Sequence, residues 1–190
     1  MDFTNPIYLQ RGNDRQRSAY QTLNNLALFS HLADFQPVLT GTVPLGIDIP
    51  DSDLDICCEV YQPQSFMQTV SNRYSRLPGF EVHPTINNNI LTTVIQFRHG
   101  QWLIELFGHP LPTIQQPAYR HMVVEHRILQ LANANFWEGI KELKRKGIKT
   151  EPAFAQLLNL PGEPYDTVLS LESYSDEQLQ QLIRTVSYHT

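Results

Sequence analysis

Acidic residues crowded into one short stretch are the first candidates for chemistry. In TGTVPLGIDIPDSDLDICC (residues 40–58), one residue separates Asp53 from Asp55, and Asp48 and Asp51 add charge nearby. Alternate side chains of a β-strand share a face, so Asp53 and Asp55 would lie side by side. Two such carboxylates repel each other by about 4 kcal/mol at about 4 Å if the effective dielectric is about 20. A hard divalent cation, Mg²⁺ or Mn²⁺, would relieve this repulsion, and the alternative is a polar strand edge without a ligand.

A third carboxylate, Glu105, stands inside an apolar segment, residues 102–107 (WLIELF). Burial of an unpaired charge is costly, so Glu105 is expected to meet a cation, accept hydrogen bonds or become protonated. The sequence leaves two partners open. One is a metal ion shared with the aspartates, and the other is a nearby arginine in a structural salt bridge.

The spacing of glycines, hydroxyl residues and aspartates around Asp53 resembles the signature of the polymerase-β-like nucleotidyltransferase superfamily, in its small, minimal form. In that superfamily a strand leads into a glycine turn, a short helix follows, and the next strand carries two metal-binding aspartates. The matching positions here are Gly41, Thr42, Gly46, Pro50, Ser52, Asp53 and Asp55. The chain departs from the pattern in two places: Thr42 replaces the usual serine, and Leu45 stands where an arginine is common.

The resemblance implies both a fold and a site. The implied fold is α+β, with a nucleotidyltransferase-like mixed β-sheet flanked by helices and a C-terminal helical subdomain. The implied metal-binding and catalytic residues are Asp53, Asp55 and Glu105. The implied nucleotide-binding residues are Gly41, Thr42 and Ser52, and the implied cofactor is Mg²⁺ or Mn²⁺.

Longer segments are similar to a narrower group, a small bacterial family of nucleotidyltransferase-like proteins described only as a domain of unknown function. The resemblance covers residues 38–158 and is specific for membership, but it does not indicate a substrate. The segments that carry it are GTVPLGIDIPDSDLDICCEV, IELFGHPLP, AYRHMVVEHRIL and LKRKGIKTEPAFAQLL.

Length and charge limit the classes of function. The 190 residues are enough for a core with an appended subdomain, and we expect a nucleotidyltransferase-like core over 1–110 and a helical subdomain over 111–190. The formal charge of −5 argues against nonspecific binding of nucleic acid, so nucleic acid is not an expected partner. The sequence has no signal pattern and no long apolar run, which predicts a cytoplasmic protein without a membrane segment.

Periodicity and turn residues predict the elements that must position the site. A capping box at Asn13 and Gln16 predicts a helix that continues to about residue 32. His99 and Gly100 predict a tight hairpin, and residues 87–89 (Asn-Asn-Asn) predict a turn. The predicted strands are 37–39, 53–60, 80–83, 90–98 and 101–107.

The helical part contains a helix, AYRHMVVEHRILQLA, that is apolar nearly all round and is therefore predicted to be buried. His121 and Glu125 lie four residues apart on one face, and His126 lies on the adjoining side. The three residues are either a structural part of the packing or the rim of the metal site, where one of them would act as a base or contact the substrate.

The chain has one basic cluster, composed of Lys141, Lys144, Arg145, Lys146 and Lys149. It is either a solvated helix face or a source of positive charge for a triphosphate or a polynucleotide backbone.

The predicted function is a metal-dependent nucleotidyltransferase that moves a nucleoside monophosphate from a nucleoside triphosphate to a hydroxyl acceptor. The alternative is a non-catalytic nucleotide- or partner-binding protein on the same fold, of an antitoxin-like or regulatory kind. The complete set of carboxylates favours the enzyme, and Leu45 in place of arginine favours the alternative. The nucleotide, the acceptor and the oligomeric state stay open.

Overall fold

The computed structural model describes residues 1–87 and 90–187 and divides the chain into two compact units. The first unit comprises Met1–Gly46 and Asp51–Tyr119, and the second comprises Ile47–Pro50 and Arg120–Thr190. The division after Tyr119 falls later than position 110 because residues 111–119 are bonded into the first unit. The Gln116 side chain donates to the carbonyl of Cys58 at 3.0 Å, and the Thr113 hydroxyl donates to the carbonyl of Gln36 at 2.8 Å.

The first unit is built on one five-stranded sheet in the order β1-β2-β5-β4-β3. The β2–β5 pair is parallel, whereas β1–β2, β3–β4 and β4–β5 are antiparallel. The sheet is therefore mixed, as predicted. The strands are β1 (Val38–Thr40), β2 (Leu54–Glu59), β3 (Glu81–Asn87), β4 (Ile90–His99) and β5 (Trp102–His109).

The hairpin between β4 and β5 confirms the sequence prediction, with the turn one residue later than expected. His99 pairs with Trp102, so Gly100 and Gln101 form the two-residue loop. Strand β3 is longer than the predicted 80–83, because it pairs with β4 as far as Asn87. The predicted turn at 87–89 falls largely on Asn88 and Asn89, which lie outside the described residues.

The first helix begins at the predicted capping box, where the Asn13 side chain accepts from the Gln16 amide and the Gln16 side chain accepts from the Asn13 amide. The prediction of one helix to about residue 32 is wrong, because Ala27 adopts a left-handed conformation (φ 47°) that breaks the helix. The helices of this unit are α1 (Asp14–Asn25), α2 (Leu28–His31), α3 (Thr42–Leu45) and α4 (Pro63–Tyr74). Its 3₁₀ segments are Pro6–Arg11, Ala33–Phe35 and Thr113–Gln115.

The core of the first unit lies on one face of the sheet, under α1 and α4. On β5 the buried residues alternate with partly exposed ones, and Ile104 and Leu106 point into the core. Tyr74 of α4 stacks on Phe97 of β4, with ring centroids 4.9 Å apart. Glu105 alternates with these residues and therefore belongs to the opposite face of the sheet.

The second unit is helical. Two ion pairs tie the helix that begins at Pro117 to residues near the C-terminus: Arg120 pairs with Glu172, and Arg127 pairs with Asp176 at 2.9 Å. The helices are α5 (Pro117–Leu131), α6 (Ala134–Arg145), α7 (Thr150–Leu157), α8 (Pro164–Ser170) and α9 (Asp176–Ser187), with a 3₁₀ turn at Leu171–Ser173. No helix over the described residues is long and apolar enough to cross a membrane.

Candidate metal centre

The parallel pairing of β2 with β5 brings together carboxylates that are distant in sequence. Asp55 on β2 pairs in register with Glu105 on β5, and Asp53 lies just before β2. One carboxylate oxygen from each of the three lies within 4.8 Å of the others. We call Asp53, Asp55 and Glu105 the carboxylate cluster. All three are partly exposed, and their donor atoms are oxygens, which suit Mg²⁺ or Mn²⁺.

Glu105 is not fully buried, although it lies within an apolar strand. Its side chain is partly exposed because the apolar neighbours Ile104 and Leu106 point to the other face. Burial, followed by repulsion from Asp53, raises the pKa of Glu105, and His83 acts in the opposite direction. Over residues 1–87 and 90–187, no lysine or arginine forms an ion pair with Glu105, so the structural salt bridge is not observed.

The glycine turn lies against the carboxylate cluster. Gly41 has φ 76° and ψ −151°, a region that is essentially restricted to glycine. A Cβ atom at position 41 would lie 2.4 Å from Oδ2 of Asp55, so only glycine allows the backbone to approach this carboxylate so closely. Gly41 itself precedes α3, and Thr42 is the first helical residue. The Thr42 hydroxyl donates to Oγ of Ser52 at 3.4 Å, which brings the predicted nucleotide-binding residues into one group.

One basic residue of this region, Arg15 on α1, was not identified from the sequence. Its guanidinium donates to the carbonyl of Ser52 at 3.3 Å and lies over the ring of Trp102, 4.3 Å from the centroid. Leu45, which stands where the superfamily often has arginine, is buried in the structure. Arg15 therefore supplies positive charge beside Ser52 from a different element. No local motif indicates this role, because the contact depends on the packing of α1.

His121 and Glu125, predicted as rim residues, lie together in the second unit with a residue that the sequence analysis did not single out, Glu151 of α7. One ligand atom from each of the three lies within 4.8 Å of the others. We call His121, Glu125 and Glu151 the helical cluster. His126, on the next turn of α5, is half-buried and does not belong to this cluster. The rim role of His121, Glu125 and His126 stays a prediction.

Burial dominates the electrostatics of the helical cluster. His121 is 6% exposed and Glu125 is 3% exposed. Desolvation raises the pKa of Glu125 well above its ordinary value; Glu151 adds to this effect, and Lys144 opposes it. Desolvation also lowers the pKa of His121. Nδ1 of His121 and Oε1 of Glu125 are both buried without a hydrogen-bond partner.

The basic cluster lies on and just after α6. Lys141 and Arg145 approach Glu138, at 3.7 and 4.0 Å, and Lys144 donates to the Thr150 hydroxyl at 3.2 Å. Lys146 and Lys149 are exposed. Part of this charge is thus engaged within the second unit, and its use toward a phosphate ligand stays a prediction.

Solved structures with a similar fold include nucleotide-transferring enzymes. A structure titled for the RNA terminal uridylyl transferase activity of Cid1 gives a TM-score of 0.55 at 14% identity, covering 92% of this chain and 64% of that chain. Cid1 poly(U) polymerase with Mg and 3′-dATP gives 0.53 at 15% identity, covering 82% and 48%. The polymerase core of TRAMP, an RNA surveillance complex, gives 0.50 at 12% identity, covering 95% and 59%.

These similarities establish a nucleotidyltransferase-like fold. The chain spans about half to two thirds of the length of those structures. Some of these neighbours act on RNA, so they do not support the expectation that nucleic acid is not a partner.

A search of curated protein sequences found no match. A family described as a domain of unknown function, DUF4269, matches residues 21–171, which is most of the sequence. The chain therefore belongs to the DUF4269 family.

Proposed function

We propose that this protein is a metal-dependent nucleotidyltransferase that transfers a nucleoside monophosphate from a nucleoside triphosphate to a hydroxyl acceptor. The observation that carries the proposal is the convergence of Asp53, Asp55 and Glu105, whose carboxylate oxygens lie within 4.8 Å of one another. The glycine turn at Gly41 lies against the same carboxylates. Carboxylates beside a tight backbone turn are the combination that metal-assisted phosphoryl chemistry requires.

The residues of the proposed site divide into two groups. Asp53, Asp55 and Glu105 would hold Mg²⁺ or Mn²⁺. When bound, such an ion offsets negative charge on the phosphates and lowers the pKa of an attacking hydroxyl. Glu105 is also the candidate general base, because its partial burial and its neighbour Asp53 favour uptake of a proton.

The second group would bind the triphosphate. Backbone N–H groups at Gly41 and Thr42 are the candidate hydrogen-bond donors to the phosphate oxygens, together with the hydroxyls of Thr42 and Ser52. Arg15 would add a positive charge beside them, because its guanidinium is held between the Ser52 carbonyl and the Trp102 ring.

Both RNA and small molecules should be tested as acceptors. The titles of the structural neighbours describe RNA terminal uridylyl transfer and an RNA surveillance complex, which supports testing an RNA 3′-hydroxyl. The net charge of −5 favours a smaller acceptor, since this protein lacks the overall basic character of nonspecific RNA binders.

The test is a thermal-shift panel of the four nucleoside triphosphates, each with and without Mn²⁺, followed by transfer assays with α-labelled nucleotide. A nucleotide at about 100 times its dissociation constant should stabilise the protein by about 2.7 kcal/mol. We expect this shift to require the metal and to disappear in Asp53→Asn. Asp51→Asn is the matched control, because Asp51 is exposed and lies outside the carboxylate cluster.

Unchanged Mn²⁺ affinity in Asp53→Asn would contradict the metal assignment. Nucleotide binding that does not depend on metal, without transfer to any acceptor, would instead favour the non-catalytic binding protein.

A further inference from the structure

The helical cluster has the composition of a second metal site. His121 and Glu125 lie four residues apart on α5, so they project from the same face, and Glu151 reaches them from the first turn of α7. One imidazole nitrogen and two carboxylate oxygens therefore converge within 4.8 Å.

Two atoms of this cluster point independently to a ligand. Nδ1 of His121 and Oε1 of Glu125 are buried and make no hydrogen bond, although their side chains are 94% and 97% removed from solvent. Buried polar atoms are almost always satisfied, and two unsatisfied atoms in one cluster call for a common partner. The His121 ring also packs edge-on against Tyr165, with 6.1 Å between the ring centroids.

We propose that His121, Glu125 and Glu151 bind a divalent transition-metal ion, with Zn²⁺ the best fit. This site lies beyond the proposed nucleotidyl transfer and does not depend on it. Nitrogen and carboxylate donors together favour Zn²⁺ over Mg²⁺, which prefers an all-oxygen shell. Three protein ligands are the usual number for a zinc site that keeps one position open.

Charge balance supports the same ligand. A neutral imidazole and two carboxylates carry a charge of −2, which a divalent ion cancels, so the buried complex is neutral. Without such an ion, an ionised Glu125 that is buried within reach of the Glu151 carboxylate is unfavourable.

Lys144 offers a competing explanation. Its ammonium group, which donates to the Thr150 hydroxyl, is close enough to act on Glu125 and could serve as the counter-ion. A lysine and a divalent cation repel each other, so the two explanations predict opposite effects when the charge of Lys144 is removed.

The test uses the full chain with the carboxylate cluster disabled by Asp53→Asn and Glu105→Gln. Equilibrium dialysis with Zn²⁺, followed by metal analysis, measures binding to the remaining site. We expect one Zn²⁺ per chain in this background. Adding Glu125→Gln should weaken Zn²⁺ binding by more than about 100-fold. Loss of a residue that only hydrogen-bonds to a metal ligand costs about 10- to 100-fold. The isosteric control is Glu142→Gln, at an exposed position of α6, which should leave affinity unchanged.

A spectroscopic arm uses Co²⁺ in place of Zn²⁺. We expect visible ligand-field absorption in the background protein and its loss in Glu125→Gln. If Glu125→Gln fails to fold, Glu151→Gln tests the same loss of absorption. Glu151 is only half-buried, so its replacement should disturb the fold less.

Absence of Zn²⁺ and Co²⁺ binding in the background protein would overturn the proposal. So would affinity that is equal in Glu125→Gln and Glu142→Gln. Lys144→Met should strengthen Zn²⁺ binding by removal of a repelling charge, whereas a lower melting temperature with no metal bound would identify Lys144 as the counter-ion. None of these readouts uses nucleotidyl transfer, so the two proposals fail separately.

Discussion

The carboxylate cluster and the helical cluster have the same number of ligand groups and differ in burial. Asp53, Asp55 and Glu105 are all partly exposed, whereas two of the three helical residues are buried. In the first set, Asp55 and Glu105 lie on paired strands and Asp53 just before β2, whereas the residues of the second set lie on helices. Water can therefore solvate the carboxylate cluster when no ion is bound, whereas His121 and Glu125 of the helical cluster are shielded from water by the protein.

This difference determines what each cluster does without metal. Exposed carboxylates can stay ionised and exchange ions readily, which suits a site where nucleotide and metal arrive together. Buried groups must be neutralised by a proton or a bound cation, which suits an ion that stays in place. Geometry alone does not separate the two roles.

The largest expected effect is that of Gly41→Ala, which removes the close contact between the turn and the carboxylate cluster. The added Cβ would meet Oδ2 of Asp55 at 2.4 Å, and the φ of 76° is unfavourable for alanine. We expect a loss of about 2–5 kcal/mol in the free energy of unfolding. Mn²⁺ affinity should also fall, because Asp55 has to move.

The matched control for that variant is Gly100→Ala, in the β4–β5 turn. Its φ of 58° is also positive, but a Cβ there meets nothing within 4 Å. Only the unfavourable positive φ remains, so we expect the free energy of unfolding to fall by about 1–2 kcal/mol with normal Mn²⁺ affinity. Denaturant titration and calorimetry measure both quantities. Equal losses in the two variants would show that Asp55 is not tightly placed.

The second prediction concerns pH and the helical cluster. Burial raises the pKa of Glu125 in the folded protein, so the folded state holds more protons than the unfolded chain above about pH 4.3. Stability of the metal-free protein should therefore fall as pH rises, by at most about 1.4 kcal/mol per pH unit. Glu125→Gln should remove this slope. Unfolding by denaturant at several pH values from about 5 to 8 measures it.

Other titrating groups face Glu125, and their titration is coupled to it. His121 acts in the opposite direction: its lowered pKa means that stability is lost as pH falls. Glu151 and Lys144 also face Glu125. The difference between the wild type and Glu125→Gln therefore reports Glu125 together with its coupling to these groups, and identical pH profiles would contradict the buried, protonated state.

The third prediction uses the same substitution at the other cluster. Glu105→Gln should change the free energy of unfolding by less than about 1 kcal/mol, since Glu105 is partly exposed and has no cationic partner among the described residues. It should weaken Mn²⁺ binding and stop nucleotidyl transfer. Calorimetric titration measures the Mn²⁺ affinity, and an assay with labelled nucleotide measures the transfer. Clear destabilisation with unchanged Mn²⁺ affinity would remove Glu105 from the metal site.

The smallest expected effect is that of Arg15→Lys. Lysine keeps the charge beside Ser52 but loses the planar group that lies over Trp102. We expect a few-fold loss of nucleotide affinity and a stability change of about 0.5–1 kcal/mol. Fluorescent-nucleotide titration in the presence of Mn²⁺ measures the affinity. Unchanged affinity would exclude Arg15 as a phosphate contact.

The mixed sheet and the carboxylate cluster were predicted through the resemblance to the nucleotidyltransferase signature, and the motifs that carry this resemblance are short and local. The short D-x-D spacing, the glycine turn and the lone carboxylate of 102–107 are all visible within a few residues. The β4–β5 hairpin follows from its turn residues in the same way.

The features that sequence reasoning missed depend on packing between distant segments. Arg15 meets Ser52 only because α1 packs across the sheet, and Glu151 joins His121 only because α7 folds back onto α5. The break at Ala27 is also invisible, since alanine has the highest helix propensity and its left-handed conformation is imposed by the surrounding structure.

The parallel β2–β5 register has a consequence for the order of folding. Asp55 and Glu105 are paired directly, but α4, β3 and β4 lie between them in the chain, so this pairing closes a long loop. Contacts of high sequence separation form late, after local hairpins such as β4–β5. Repulsion between the carboxylates therefore opposes only the final steps, and Mn²⁺ should slow unfolding of the completed sheet without accelerating its early assembly.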